Sequence, residues 1–378
     1  MNTPPLAGLR IIEAATVLAG PLTGQLAAHY GAEVIKVEPP GGDITRRWHF
    51  PGEQSPPTLS AYFSSVNAGK KSIALDLKDP TDRTTFQRLL RTADVLLTNV
   101  TAPTAARLGL NPNTIQTVAP HIIHINITAY GEHDHRPGYD ALLQADTGYM
   151  HLNGEPDSPP VKMPVALIDV LTAHHAFHSL LLARLQRTHT SETAYTYLSV
   201  TLEAVAVVSL INQAMNFLAS KGRYQPRRMG SQHPNIVPYG RPFRTADDQW
   251  VVLAVGNDTH YERLCNILND PELAQWGRTA ALRQHHREKI YRRLETHLQQ
   301  WNSGPFLDRC RQAGSPATRI RSVDEVLSDP RLVPFLLQFP AYPWVGLRPS
   351  PVQGLTTQSL SPPPPLNAHA AEIRAALS

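Results

Sequence analysis

Residues 9–40 read LRIIEAATVLAGPLTGQLAAHYGAEVIKVEPP, and this stretch decides the fold. Two short apolar runs with β-branched residues, 9–13 and 32–38, predict two strands. Between them, Gly20-Pro21 opens a segment that we predict to be helical to about Tyr30, because proline is well tolerated in the first turn of a helix. A strand, a helix and a second strand in direct succession are typical of a parallel sheet whose faces are covered by helices.

The same alternation continues along the chain. Further strands are predicted at 71–77, 94–98, 121–127 and 194–200, and further helices at 80 to about 92, 169 to about 186 and 202–219. We therefore predict an α/β fold with a Rossmann-like parallel sheet. Ligands of such sheets bind beyond the carboxyl ends of the strands.

The pattern of predicted elements changes after residue 222. A turn at 245–248 separates two strand-like runs, and amphipathic helices are predicted at 258–268, 287–299 and 304–313. We predict a smaller α+β domain over residues 223–330. The large domain would comprise residues 1–222 and a proline-rich C-terminal return, residues 331–378.

The composition is that of a globular protein. The 378 residues are 42% hydrophobic and 17% charged, and the chain is too long for one ordinary core. The net charge is only +4 and the basic residues are scattered, so no nucleic-acid partner is predicted. No apolar run is long enough to span a membrane and no secretion signal is visible, so we expect a cytoplasmic protein without a membrane partner. Cys265 and Cys310 are expected to be buried thiols.

One aspartate stands in an apolar frame, PVALIDVLTA at 164–173. The Asp169 carboxylate is either a helix N-cap or an anion held at a helix N-terminus for chemistry. His174 and His178 lie one turn apart on the helix that follows and could share a metal ion. No carboxylate or cysteine at helical spacing completes such a ligand set, so we predict no metal.

Several short blocks along the chain carry a resemblance to a known family. They are VLAGP (17–21), GAEVIKVEPPGGD (31–43), NAGKKSIALD (67–76), ADVLLTN (93–99), RLGL (107–110), RPGYD (136–140), the Asp169 segment, MGSQHPN (229–235) and VDEVLSDP (323–330). In this order they resemble the class III coenzyme A transferases, the CaiB/BaiF family that contains formyl-CoA and carnitine CoA-transferases.

The resemblance implies a function and a site. It makes Asp169 the nucleophile of a CoA transfer from an acyl-CoA to a small carboxylic acid, through an aspartyl anhydride and an aspartyl-CoA thioester. It places Tyr139 and Asp140 beside that carboxylate, and it implies an intertwined homodimer. The residues expected to bind coenzyme A, the co-substrate, are Val17, Leu18, Ala19, Lys70, Lys71, Asn99 and Arg107.

The sequence leaves two assignments open, the role of two lysines and the source of the oxyanion donors. Lys70 and Lys71 suit the phosphates of CoA, but they also fit a solvated charge pair. The amides that stabilise an oxyanion could come from the helix after Asp169 or from the 229–235 loop.

Two other functions are possible from the sequence. The fold also contains α-methylacyl-CoA racemases, which have histidine where this chain has Tyr139, and tyrosine is a poor base at neutral pH. A catalytically weak CoA-binding protein is the non-enzymatic alternative. It is suggested by Thr101, which stands where the family usually has a phosphate-binding arginine.

Overall fold

The computed structural model describes residues 3–190, 194–339 and 345–377. Strands β1–β11 span Arg10–Ala14, Glu33–Glu38, Lys70–Ala74, Val95–Thr98, Ile123–Thr128, Thr196–Thr201, Tyr239–Arg244, Trp250–Ala254, Ala317–Arg319, Leu336–Gln338 and Val345–Leu347. Helices α1–α17 span Ala19–His29, Ala61–Ser64, Pro80–Arg91, Ala102–Leu108, Pro112–Val118, Asp140–Asp146, Tyr149–Leu152, Leu167–Thr190, Leu202–Val208, Ile211–Ala219, Asp258–Leu268, Pro271–Trp276, Ala280–His285, Arg287–Leu298, Ser303–Ala313, Val323–Leu327 and Ala370–Ala375.

The chain divides into two compact units. Unit 1 comprises Met1–Thr147, Met163–Asn212 and Val333–Ser378, and unit 2 comprises Gly148–Lys162 and Gln213–Leu332. Unit 2 thus takes in residues 148–162, which the sequence pattern assigns to the large domain. One contact of this segment within unit 2 is the hydrogen bond that the amide of Gly230 donates to the carbonyl of Gly154.

Unit 1 is built on a parallel sheet of six strands. Their order is β3-β2-β1-β4-β5-β6, and β1 pairs in parallel with both β2 and β4. Every residue of β4 and β5 is buried, as expected for central strands that are covered by helices on both faces. This order is that of the Rossmann fold, so the predicted fold class is confirmed.

The C-terminal segment packs on the edge strand β3. The amide of Ala74 donates to Oδ1 of Asn367 at 2.8 Å, and the amide of Asn367 donates to Oγ of Ser72 at 3.0 Å. Ile373 of α17 is 4% exposed and joins the hydrophobic core of unit 1. The segment therefore satisfies backbone groups that an edge strand would otherwise leave open.

The helix predicted over residues 202–219 is wrong as one element. Helices α9 and α10 are separate and meet at an angle of 64°, because Ile211 adopts a positive φ of 32° that a continuous helix cannot contain. Among the described residues, no single helix is long and apolar enough to cross a membrane. Only this bent pair meets the criteria of length and composition.

Unit 2 is the smaller, α+β part of the fold. Its antiparallel sheet has the order β7-β8-β9, with the predicted hairpin formed by β7 and β8. Helices α11, α14 and α15 contribute the buried residues Tyr261, Tyr291 and Phe306 to its core. The predicted pairing of a large parallel sheet with a small α+β unit is thus confirmed.

Candidate active site

A cavity opens where β1 and β4 end, at the point where the strand order of the unit 1 sheet reverses. Connections leave these neighbouring strands toward opposite faces, and the crevice between them is the usual ligand site of such sheets. The cavity has a volume of about 140 Å³. We call it the Asp169 cavity, and it is lined by residues 16–19, 99–101, 127–129, 131, 134, 136–139, 169 and 202.

Asn99 joins the two strand ends. Its side-chain amide donates to the carbonyl of Thr16 at 2.8 Å and accepts from the amide of Thr16 at 3.0 Å. This pair of bonds fixes the separation of the loops after β1 and β4. Asn99 was expected to bind CoA, and that role stays a prediction. Its observed contacts make it a residue that shapes the cavity.

The loop at residues 16–19 forms one wall of the cavity. Val17 has a φ of 72°, an uncommon conformation for a β-branched residue, and its amide donates to the Asp43 carboxylate at 3.2 Å. Leu18 is the N-cap of α1, and no side chain in the described residues caps this end of the helix. Helix α1 therefore begins at the cavity wall with amide groups that can meet an anion.

A buried ionic cluster lies behind this loop. The Lys36 ammonium group is 3.1 Å from carboxylate oxygens of both Glu13 and Asp43, and the Lys70 ammonium group is 2.8 Å from Glu13. Two positive and two negative side chains thus compensate each other away from water. Because Asp43 also accepts the amide of Val17, this cluster anchors the wall of the cavity.

Lys70 and Lys71 do not line the Asp169 cavity. Besides Glu13, the Lys70 ammonium group donates to the carbonyl of Pro21 and to Asn67, and burial lowers its pKa to about 8. Lys71 points to the other face of β3 and pairs with Glu33 and Glu372, at 2.8 and 2.7 Å. Lys70 is thus buried among its own partners, whereas Lys71 stays partly exposed. The binding of CoA phosphates by these lysines stays a prediction.

Asp169 is the third residue of α8 and does not cap this helix. The side chain that caps the start of α8 is that of Asp140. Oδ1 of Asp140 accepts the amide of Ile168 at 2.8 Å, while its Oδ2 accepts from Gln144 at 2.6 Å. The N-cap interpretation of Asp169 is therefore wrong. Asp140, which the family resemblance places beside the nucleophile, is buried and holds the start of the helix that carries it.

The Asp169 carboxylate is poorly stabilised. No group in the described part of the chain donates a hydrogen bond to it, although it faces the cavity. Burial, and then the negative charge of Asp140, raises the pKa of Asp169 from 3.8 to about 7. A carboxylate perturbed in this way in a cleft is typical of a functional group, because a purely structural carboxylate would be paired.

Tyr139 lines the same cavity and is 55% exposed. The chain can place it there because Gly138 lies against Ala129, where an added Cβ would come within 1.9 Å of the Ala129 Cβ. Arg136 also lines the cavity, but its charge is compensated by Asp134 at 2.9 Å and Asp146 at 3.2 Å. The RPGYD block thus contributes shape and a phenol to the wall.

No sequence pattern singles out Tyr62, which the structure places in the same electrostatic environment. Burial, followed by the charges of Asp169, Asp140 and Asp43, raises the pKa of its phenol to about 12. Tyr62 therefore stays protonated at neutral pH and is a hydrogen-bond donor. It lies in α2, inside a segment that looks like a plain loop in the sequence, and its ring packs edge-on against Trp48.

Arg107 lines a second cavity of about 420 Å³ at the same edge of the sheet. We call this the Arg107 cavity. Its other walls are largely apolar and include Pro39, Pro40 and Leu77, and it shares Thr16, Asn99 and Val100 with the Asp169 cavity. The two cavities therefore adjoin along the carboxyl edge of the sheet, which gives room for an elongated ligand.

The arrangement suits group transfer through a carboxylate. Asp169 offers a poorly solvated oxygen nucleophile, and α1 offers uncapped amides. The Arg107 cavity extends the site by a largely apolar surface that also carries the cations Arg107 and Lys78 and the acidic residues Glu38 and Asp76. Among the described residues, no group of three or more histidine, cysteine or acidic side chains is placed to hold a metal ion.

Comparison with known proteins assigns the family. The sequence model of CoA-transferase family III matches residues 6–369 of this chain. The chain belongs to this family. The CoA-transferase class predicted from the sequence blocks is thereby confirmed, and so is an enzymatic function that uses CoA thioesters as co-substrates.

Curated relatives and solved structures agree with the assignment. The family III enzyme is 38% identical over 338 residues to a succinate–glutarate CoA-transferase of Agrobacterium fabrum, covering 87% of this chain and 83% of that protein. It is 33% identical over 384 residues to the human succinyl-CoA:glutarate CoA-transferase, covering 98% and 86% of the two chains. A crystal structure of a CaiB/BaiF family protein from Brucella suis superposes with a TM-score of 0.86 at 34% identity over 100% of both chains.

Proposed function

We propose that this enzyme exchanges CoA between an acyl-CoA and a small dicarboxylic acid, with Asp169 as a covalent nucleophile. The observation that carries the proposal is the Asp169 carboxylate itself, which lacks hydrogen-bond donors among the described residues and lines the cavity at the switch point of the sheet. The ionised form of such a carboxylate is poorly stabilised where it lies, so its conversion to a neutral acyl derivative removes an unfavourable charge and lowers the free energy of the site.

The transfer proceeds in four acyl exchanges, the first at the donor acyl carbonyl, the second and third at the carbonyl of Asp169, and the last at the acceptor acyl carbonyl. The Asp169 carboxylate attacks the thioester carbonyl, which forms a mixed anhydride and breaks the carbon–sulfur bond to release the CoA thiolate. The aspartyl carbonyl of the anhydride is then attacked by this thiolate, which gives an aspartyl-CoA thioester and the free donor acid. The acceptor carboxylate attacks that thioester, and the same steps run in reverse to regenerate Asp169.

Each tetrahedral intermediate places negative charge on a carbonyl oxygen. The uncapped start of α1 beside Ala19 supports a role for its amides as donors to this oxygen. At the start of α8 the amide of Ile168 is already bound to Asp140, so that helix offers fewer free donors. The Tyr62 phenol, protonated at neutral pH, is a second candidate donor.

We place CoA along the carboxyl edge of the sheet. Its thioester would lie in the Asp169 cavity beside Val17 and Leu18, and its nucleotide end would lie in the Arg107 cavity. The apolar wall of that cavity suits a purine, and the Arg107 guanidinium suits a phosphate.

We take the proposed substrate acids from the names of the related enzymes. The names of those relatives specify succinate and glutarate, and in other members mesaconate and oxalate, all of which are dicarboxylic acids. We extend this class to the present enzyme, as donor acid and as acceptor acid.

We also propose a homodimer, as the family resemblance implies. Large apolar side chains of unit 1 are exposed on α8, α9 and α10, including Leu182 at 66%, Val208 at 62% and Ile211 at 68%. A second copy of the chain would cover this surface, which is unusual for a monomer.

A cytoplasmic location is proposed as well, since the buried free thiols of Cys265 and Cys310 fit a reducing compartment.

The experiment is a CoA-transfer assay with succinyl-CoA as donor and a panel of acids as acceptors. Liquid chromatography follows each new acyl-CoA, and the α-carbon of a branched acyl-CoA is followed for deuterium exchange. We expect transfer to dicarboxylic acids such as glutarate and no α-exchange. Exchange without transfer would instead assign a racemase, and CoA binding without either reaction would assign a binding protein.

A further inference from the structure

The peptide group between Thr16 and Val17 is held at both ends by side chains. The Asn99 side-chain amide donates to the carbonyl of Thr16 at 2.8 Å, and the Asp43 carboxylate accepts the amide of Val17, at 3.2 Å from Oδ2 and 3.4 Å from Oδ1. Leu18 and helix α1 follow directly from this peptide. Side chains from two other loops of unit 1 therefore set the orientation in which the chain enters α1.

The backbone of Val17 is strained. Its φ of 72° is uncommon for residues other than glycine, and most of all for a β-branched one. A conformation of this kind persists only where its surroundings impose it. Rotation of the held peptide would return Val17 to a negative φ and would move the amide of Leu18. The hydrogen bond to Asp43 opposes this rotation.

The Asp43 side chain is itself fixed on every side. It is 0% exposed, its Oδ1 accepts from the amide and the hydroxyl of Thr45 at 3.0 and 2.8 Å, and its Oδ2 lies 3.1 Å from the Lys36 ammonium group. The Asp43 amide donates to the Glu38 carboxylate at 3.0 Å. Lys36 also donates to the carbonyl of Ala15 at 2.8 Å, so the same cluster holds the loop at a second point.

The amides that follow Val17 are free. Those of Leu18, Ala19 and Gly20 have no acceptor in the part of the chain that the structure describes. Leu18 and Ala19 line the cavity that Asp169 faces. Amides stabilise an oxyanion best when they are fixed in the right direction before the reaction starts. The conformation of Val17 thus sets the direction of the free amides at the cavity wall.

We propose that Asp43 is a positioning residue for CoA transfer. Its carboxylate holds Val17 at a positive φ and thereby keeps the amides at the start of α1 directed at the oxygen of each tetrahedral intermediate. This inference rests on the proposed function, and it makes a buried carboxylate outside the cavity lining a determinant of kcat.

The test separates Asp43, the conformation of Val17 and general damage to the cluster. Asp43→Ala removes the acceptor of the Val17 amide. Val17→Gly allows a positive φ without strain, and Val17→Pro forbids a positive φ while leaving the ionic cluster unchanged. Thr45→Val is the matched control, because it removes a buried hydroxyl that is bonded to the same carboxylate and keeps the bond to Val17. For each variant, and for Asp43→Ala combined with Val17→Gly, kcat and KM are measured with succinyl-CoA and glutarate.

We expect Asp43→Ala to lower kcat about a hundredfold, since a displacement of about 1 Å in a catalytic group has an effect of that size. KM should stay nearly unchanged, because the amides act on the transition state. Combined with Val17→Gly, the loss caused by Asp43→Ala should shrink to about twofold, since glycine populates positive and negative φ about equally. Val17→Pro should lose as much kcat as Asp43→Ala, and Thr45→Val should keep the kcat of the wild type.

Hydrogen exchange provides a readout that does not depend on activity. Mass spectrometry of the peptide containing residues 15–22 should show faster exchange of the Val17 amide in Asp43→Ala than in the wild type or in Thr45→Val, because this amide loses its acceptor. If Asp43→Ala does not fold, the contrast in kcat between Val17→Gly and Val17→Pro decides, since both keep Asp43.

Other outcomes overturn the inference. An equal loss of kcat from Asp43→Ala with and without Val17→Gly, or a fully active Val17→Pro, would refute positioning through Val17 and leave the proposed function intact. A raised KM for succinyl-CoA with an unchanged kcat would make Asp43 a support of CoA binding instead. A wild-type protein that transfers no CoA would refute the proposed function. Faster exchange in Asp43→Ala would then keep Asp43 as the support of the loop, and unchanged exchange would refute that role as well.

Discussion

Replacing Asp169 by asparagine should stabilise the folded enzyme while abolishing CoA transfer. The raised pKa, from 3.8 to about 7, means that the folded state disfavours the ionised carboxylate. A shift of this size corresponds to at most about 4 kcal/mol. Because Asp169 faces a cavity and is only partly buried, solvent screening should reduce this to about 2–3 kcal/mol.

The size of the effect depends on pH. The folded-state pKa lies above the unfolded value, so the cost of the ionised carboxylate is full above pH 7. It shrinks as the pH falls and is lost below about pH 4. The neutral amide of Asp169→Asn has no such cost. The variant should therefore exceed the wild type in stability at pH 8 and converge with it in acid.

The assay is calorimetric unfolding of wild type and Asp169→Asn between pH 4.5 and pH 8.5. For a folding unit of this size, we expect a rise in Tm of about 5–10 °C at pH 8, with a much smaller rise at pH 4.5. Glu262→Gln, which changes an exposed carboxylate of α11, should show neither effect. A variant that is no more stable than the wild type at pH 8, or a difference that grows in acid, would refute the electrostatic account of Asp169.

Three further predictions concern the walls of the site. Asp140→Asn removes a charge but keeps an oxygen that can accept the Ile168 amide, so the acidic limb of the kcat/KM profile should move to lower pH. The limb should remain above pH 4, because burial is the larger cause of the raised pKa of Asp169. An unmoved profile would exclude coupling between the two carboxylates. Gly138→Ala should lower the free energy of unfolding by about 1–3 kcal/mol in urea titrations, since its Cβ would overlap Ala129. Gly304→Ala, a helical position with open space around it, should instead raise that free energy by about 0.5–1 kcal/mol, and equal effects of the two changes would contradict the packing argument. Arg107→Gln should raise the KM for acyl-CoA about tenfold without changing the KM for the acid, measured against the exposed Arg88→Gln; an unchanged KM for acyl-CoA would remove CoA from the Arg107 cavity.

The elements that position the site could be predicted because their signals are local. The alternation of apolar strands and helices in residues 9–40 is sufficient for the parallel sheet, and Gly20-Pro21 marks the helix that opens at the cavity. Asp169 stands out because a carboxylate follows an apolar run at a helix start. These features depend on residues within a few positions of one another, which is the range over which sequence patterns are informative.

Partnerships between distant residues could not be predicted. Lys70 looks like a phosphate ligand in its loop, but its partner Glu13 lies 57 residues earlier and holds it in the core. The cap of α8 comes from Asp140, 28 residues before the amide that it accepts. The positive φ of Ile211 breaks the predicted 202–219 helix, and this stretch contains no glycine or proline that would mark the break.

The most direct test of the central claim is intact-protein mass spectrometry after incubation with succinyl-CoA, with and without brief hydroxylamine treatment. An acyl or CoA adduct that is labile to hydroxylamine, maps to the peptide containing Asp169 and is absent from Asp169→Ala is the predicted result. Transfer by the wild type with no adduct at Asp169, or an adduct that persists in Asp169→Ala, would contradict the covalent mechanism.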